Sequence, residues 1–131
     1  RLPMPLVRIS HAPGKPANQI EAMSNGVHQA LIEHFNVPAD DRFQVITEHA
    51  AGTGLVAPAE FLGIAHSADM VFVQITCSEG RGVEQKKALY ADIVAHLSAG
   101  AGVRTEDVII NVVETRPENW SFGNGTAPFA N

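Results

Sequence analysis

The chain has a single cysteine, Cys77, in 131 residues. That excludes an internal disulfide and a cluster of thiolates around a metal, and its place in an apolar strand reads as a buried small hydrophobe. Basic residues are also scarce. Nine Lys and Arg stand against fourteen Asp and Glu, for a formal net charge of −5, and no basic stripe runs against that balance. A protein that must neutralise phosphates needs the reverse, so nucleic acid is not an expected partner. The longest apolar runs are about five or six residues, far below the ~20 that a membrane helix requires. No hydrophobic leader precedes the first strand, which reads as a cytoplasmic protein with no membrane partner. The six histidines lack ligand spacing: His28 and His34 fall on different faces of one helix, and His11, His49, His66 and His96 form no HxH or HxxxH pair, so no metal site is expected.

What the chain does contain is a repeat. Gln19 to Glu48 aligns without a gap on Gln85 to Glu114 at a constant offset of 66. Gln19/Gln85, Ala22/Ala88, Leu31/Leu97, Val37/Val103, Asp41/Asp107 and Glu48/Glu114 are identical. Carried backward, the offset lays Leu6-Val7-Arg8-Ile9-Ser10 on Phe72-Val73-Gln74-Ile75-Thr76, and Gly14-Lys15 on Gly80-Arg81. An internal repeat settles architecture before any single residue does.

Each unit reads as strand, helix, strand. Ile20, Met23, Val27, Ala30 and Leu31 recur at steps of three and four, with Glu21, Asn25 and Gln29 on the outer side; Leu89, Ile93 and Leu97 repeat the stripe between Gly80-Arg81-Gly82 and a stop at Gly100 and Gly102. LVRIS, RFQVITE, MVFVQIT and VIINVV are β-branched strands. A helical crossover joins parallel strands, so the expected fold is one α/β (α+β) domain: a tandem β-α-β repeat with a four-stranded sheet and two helices on one face. Its parts are an upstream extension (1–4), a first unit (5–48), a connecting insertion (49–69), a second unit (70–114) and a tail (115–131). The strands of the second unit are apolar at nearly every position, which implies burial on both faces. Two helices cover one, so the other is expected to meet further subunits. The tail ENWSFGNGTAPFAN holds the only tryptophan and two of the six phenylalanines among turn residues. Without a period of its own, it must pack those rings on something. Gly123-Asn124-Gly125 reads as a turn, and Tyr90 as core or interface packing.

Met4-Pro5 raises a chemical question. A start methionine before a small residue is normally removed, which would leave Pro5 with a free secondary amine able to act as acid or base. With residues 1–4 attached the same nitrogen is an amide without a proton. Together, this proline at the first strand, the β-α-β repeat, VPADDRFQVITE, EGRGVEQKK and WSFGNGTAPF resemble the tautomerase superfamily, most nearly its malonate semialdehyde decarboxylase group, from Pro5 to Phe129. The resemblance implies a cofactor-free homotrimer acting on a small carboxylate. Carried over by position, its catalytic proline falls on Pro5, its water-activating aspartate on Asp41, one of its paired carboxylate-binding arginines on Arg81, and its hydrophobic wall on Trp120, Phe122 and Phe129.

The family's second arginine falls on Glu79. A carboxylate there weakens the anion site that turns a β-keto carboxylate out of plane, which favours tautomerase or hydratase chemistry on a 2-oxo or unsaturated acid over decarboxylation. Plainer readings stand beside each assignment. Asp41 sits in a turn where aspartate binds backbone, and its mate Asp107 has the same place. Arg81 has Lys15 as its mate, so both read equally as loop cations. A binding or assembly protein with the Pro5 amine blocked is the alternative outside enzymes, and a ferredoxin-like monooxygenase would require a paired dimer.

Overall fold

The computed structural model describes residues 5–130; residues 1–4, read above as an upstream extension, and Asn131 lie outside them. In chain order the elements are β1 (Leu6–His11), α1 (Ala17–Phe35), β2 (Phe43–Glu48), β3 (Glu60–Phe61), β4 (Ile64–Ala65), β5 (Val71–Ser78), α2 (Val83–Ala101) and β6 (Val108–Thr115).

The repeat offset is written into the element bounds. Both helices have 19 residues, and their first and last residues are mates. Each ends in a left-handed residue, Asn36 at φ 55° and Gly102 at φ 63°, whose N–H returns to Leu31 O or Leu97 O. The next N–H, from Val37 or Val103, reaches the same carbonyl at 3.3 Å. This left-handed stop satisfies carbonyls that a helix end leaves open, and the buried Val37 and Val103 clamp it onto the core. Gly100, expected to help end α2, lies instead in its last turn. Its bare Cα serves helix packing, since a Cβ there would sit 3.2 Å from Ala22 Cβ. Gly26 is tighter still, at 2.7 Å from His96 Cβ.

The sheet order is β2-β1-β5-β6, with β1 parallel to β2, β5 parallel to β6, and the two units joined by antiparallel β1 and β5. Leu6 pairs with Phe43 and its mate Phe72 pairs with Ile109. Across the centre Leu6 pairs with Thr76 and Ser10 with Phe72, so the pairing maps onto itself about Arg8 and Gln74. The molecule is therefore pseudo-two-fold symmetric. Val7, Ile9, Val71, Val73, Ile75 and Cys77 point to one face and close the core with Met23, Val27, Leu31, Leu89, Ile93 and Leu97, so both helices cover that face. Each such side chain contributes about 1.5–3 kcal/mol relative to exposure.

On the opposite face the alternation leaves Leu6, Phe43, Val45, Ile109 and Val113 between 38% and 47% exposed. Arg8, Ser10, Gln74 and Asn111 line a 380 Å³ cavity there with Phe72, Val73 and Ile109. The insertion folds Phe61-Leu62-Gly63-Ile64 into the β3–β4 hairpin, with Leu62 and Gly63 both at positive φ at its tip. Tyr90 packs against the core. Among the described residues, no helix is long and apolar enough to cross a membrane.

Candidate active site at one end of the sheet

The register decides which residues meet. Leu6 lies opposite the first residue of β2 and near the last residues of β5. Pro5, buried just ahead of β1, thus stands where β2 begins and β5 ends. Asp41 precedes β2 by two residues, and Arg81 follows β5 by three. The same end receives the tail, which leaves β6 at Thr115.

Asp41 is half-buried on a turn closed by its own N–H to Pro38 O at 3.0 Å. The turn is held by α1: His28, 2% exposed, has its Nε2 2.8 Å from Ala39 O. Since a carbonyl only accepts, that nitrogen carries the proton. Arg42 Nη1 donates to Asn25 Oδ1 at 2.8 Å, and Gln44 Nε2 to Ser24 O at 3.0 Å. Ser24 Oγ also donates to Gln44 Oε1. A buried histidine is thus a tether for the aspartate's turn.

Arg81 is 7% exposed, and its side chain is pinned. Nη1 donates to Ser78 O and Nη2 to Phe35 O, each at 3.0 Å, while the guanidinium carbon lies 4.9 Å from the Phe35 ring centre. Phe35 O belongs to the C-terminus of α1, where the helix dipole favours a cation. Gln85 Nε2 takes the neighbouring carbonyl of His34 at 3.1 Å, and Gln85 Oε1 accepts the Gly82 N–H at 3.0 Å, so the start of α2 is tied to the end of α1. Burial lowers the Arg81 pKa from its ordinary value, opposed by Cys77, Glu114 and Asp41. Burial likewise raises the Cys77 thiol, against the pull of Arg81. Asp41 and Arg81 therefore lie within electrostatic reach of one another. Glu114, paired with Lys86 at 3.2 Å, adds a second carboxylate to the field of Arg81. Glu79 is exposed, with its N–H on Thr115 O at 2.9 Å.

The tail supplies a stack of rings. Trp120 and Phe122 are parallel at 5.4 Å, Phe129 meets Phe122 edge-on at 6.1 Å, and Phe122 reaches Phe43 at 5.6 Å. Trp120 Nε1 donates to Thr115 Oγ1 at 2.7 Å, which in turn donates to Cys77 O at 3.1 Å. The three expected wall residues are brought together. Phe43 completes them, and sequence reasoning missed it because its partner lies 79 positions away. Phe122 and Phe129 are 40% and 43% exposed, an apolar surface facing outward.

The opposite end of the sheet carries the mates, in different company. Val71 takes the place of Pro5, and Lys15 that of Arg81. Lys15 Nζ is 2.9 Å from Asp69 Oδ1. Asp107 is fully buried, accepting the Ser67 N–H at 2.8 Å and the Ser67 hydroxyl at 2.5 Å, with Arg104 at 3.6 Å. On the outer helical surface Glu33, His34 and Asp92 each bring a ligand atom within 4.8 Å of the others, the one such group among the described residues. His34 Nε2 and Asp92 Oδ2 are 3.1 Å apart across the two helices, an interhelical pair that spacing along either helix could not reveal.

The tandem β-α-β repeat, closed into one mixed four-stranded sheet, defines a class of fold. The chain belongs to the tautomerase enzyme family, whose profiles match residues 41–123 and 5–61. It is 37% identical over 124 residues to the probable tautomerase YusQ of Bacillus subtilis (strain 168), covering 95% of this chain and 97% of that protein. FG41 malonate semialdehyde decarboxylase, crystallised inhibited by 3-bromopropiolate, is 36% identical with a TM-score of 0.85, over 93% of this chain and 92% of that one. A second malonate semialdehyde decarboxylase, described as having decarboxylase and hydratase activities, is 32% identical with a TM-score of 0.85, over 95% of both chains.

Proposed function

We propose that this protein converts the keto and enol forms of a small 2-oxo carboxylate, with Pro5 as the acid–base group. A secondary amine heading β1 takes the acidic proton beside the carbonyl and returns it at the other atom of the enol system, which is the whole of the reaction. Arg81, already anchored by Ser78 O and Phe35 O, presents a fixed positive charge to the substrate carboxylate at little further entropic cost. Asp41 stabilises by its charge the ammonium that forms once Pro5 has taken the proton, and serves as the partner for water or proton. Trp120, Phe122 and Phe129 exclude solvent, which strengthens both polar contacts. No cofactor enters this chemistry.

The observation that carries this reading is the asymmetry of the repeat. The end with Pro5, Asp41 and Arg81 has an aromatic wall, whereas Val71, Asp107 and Lys15 are absorbed into burial and ion pairs. The test is ketonisation of phenylenolpyruvate by protein beginning at Pro5. Pro5→Ala abolishes it in this account. Arg81→Lys lowers it sharply while retaining the charge that packs on Phe35, and full activity in either variant removes that residue from the mechanism.

A second reading, decarboxylation of malonate semialdehyde or hydration of an unsaturated three-carbon acid, is favoured by the likeness to the two decarboxylases. Glu79 argues against the decarboxylation, because one guanidinium holds a carboxylate out of plane less well than two. Direct measurement of carbon dioxide release separates the two. The apolar outer face of the sheet supports a homotrimer closed over Leu6, Val45, Ile109 and Val113; a sedimentation mass of one subunit contradicts it, and a mass of two points to the paired-dimer alternative.

A further inference from the structure

Among the described residues, one buried side-chain polar atom has no hydrogen-bond partner: the hydroxyl oxygen of Ser78. The residue is 2% exposed and ends β5, and its carbonyl accepts from Arg81 Nη1 at 3.0 Å. Serine hydroxyls are ordinarily satisfied when buried, because an orphan keeps the full cost of leaving water. The fold does not ask for this one. At the opposite end the mate of Ser78 is Ala12, also buried at 3%, so the same backbone position is filled there by a methyl group.

We infer that Ser78 is a substrate-binding residue, its hydroxyl donating to a carboxylate oxygen of the ligand whose charge Arg81 meets. This rests on the reading of the sheet end given above and extends it. Three features converge on the assignment. The hydroxyl belongs to the residue whose carbonyl anchors the guanidinium, a donor and a cation on one short segment suit an anion, and the repeat fills the same position with the methyl group of Ala12. An unmet donor becomes a met donor on binding, so its desolvation is already accounted for before the ligand arrives.

The test uses the mature protein from its native gene, with Ser78→Ala and Ser78→Thr. Three quantities are compared: the Kd of malonate by calorimetry, KM and kcat for phenylenolpyruvate, and the melting temperature. For Ser78→Ala, Kd and KM rise about ten- to a hundredfold, the loss expected for a hydrogen bond to a charged group. In the same variant kcat stays within about threefold and the melting temperature is unchanged or higher. Ser78→Thr, which keeps the hydroxyl on a β-branched side chain suited to a strand, retains most of the affinity. Unchanged Kd and KM in Ser78→Ala, or malonate failing to bind the unmodified protein, overturns the assignment. If the unmodified protein binds malonate, loses it on Ser78→Ala and yet turns over no enol, Ser78 stands and the catalytic reading falls.

Discussion

At one end of the sheet a half-buried Asp41 faces a pinned Arg81, a hydroxyl without a partner and a row of outward-facing rings. At the other, Asp107 is sealed by two hydrogen bonds from Ser67 and by Arg104, and Lys15 closes on Asp69. The two ends are built on one backbone unit with matched helix bounds and matched strand register. The difference teaches how a duplicated scaffold divides labour. The satisfied end contributes stability, and the other keeps one buried hydroxyl unmet and apolar rings exposed, a state that costs free energy.

The contrast can be broken most decisively at the head of the strands. Pro5→Ala in protein beginning at Pro5 is expected to lower enol turnover by at least 10²–10⁴, the usual contribution of a positioned acid–base group. Its mate variant Val71→Ala leaves kcat near that of the unmodified protein and costs about 1–3 kcal/mol of stability by chemical denaturation. The two aspartates are expected to part in the same way. Asp107→Ala orphans the Ser67 N–H in a buried site and costs about 3 kcal/mol. Asp41→Ala leaves stability within about 1 kcal/mol but lowers kcat/KM by about tenfold or more. If Asp41→Ala unfolded the protein while Asp107→Ala lowered activity alone, the division between the ends would be reversed.

Cys77 sharpens the comparison more gently. Its thiol is raised in the folded state chiefly by burial, so the contribution it makes is fully present below the unfolded thiol's pKa of about 8.5 and fades as pH rises through the higher folded value. Melting temperature should fall more steeply above about pH 8.5 in the unmodified protein than in Cys77→Ala, and equal slopes would count against a buried neutral thiol. The smallest effect is expected in the insertion at the satisfied end. Leu62 is 84% exposed at φ 52°, a conformation that asparagine tolerates better, and Leu62→Asn should stabilise the chain by about 0.5–1 kcal/mol in thermal unfolding.

Much of this was readable from the sequence because the repeat is gapless. An offset of 66 places two helices and four strands, and Gly102 marks the left-handed stop of α2, whereas the matching stop at Asn36 carries no glycine to announce it. It could not say that β1 and β5 run antiparallel, since the pairing of two units depends on contacts between them and not on either pattern alone. Gly100 was misread for a related reason: its lack of a side chain answers Ala22 on the other helix. The sequence pointed to Arg81 as an exposed loop cation or an anion site, and burial against Phe35 and the end of α1 is a tertiary fact. Phe43 and Ser78 carried no local signal at all. One gains meaning from a distant phenylalanine, and the other from the alanine that stands in its place at the opposite end.

The most direct test of the central claim is the intact mass of the protein purified from its native gene, with enol turnover measured on the same sample. The account predicts an active protein whose mass begins at Pro5. An equally active protein whose mass retains residues 1–4 would contradict it, because the Pro5 nitrogen would then be an amide.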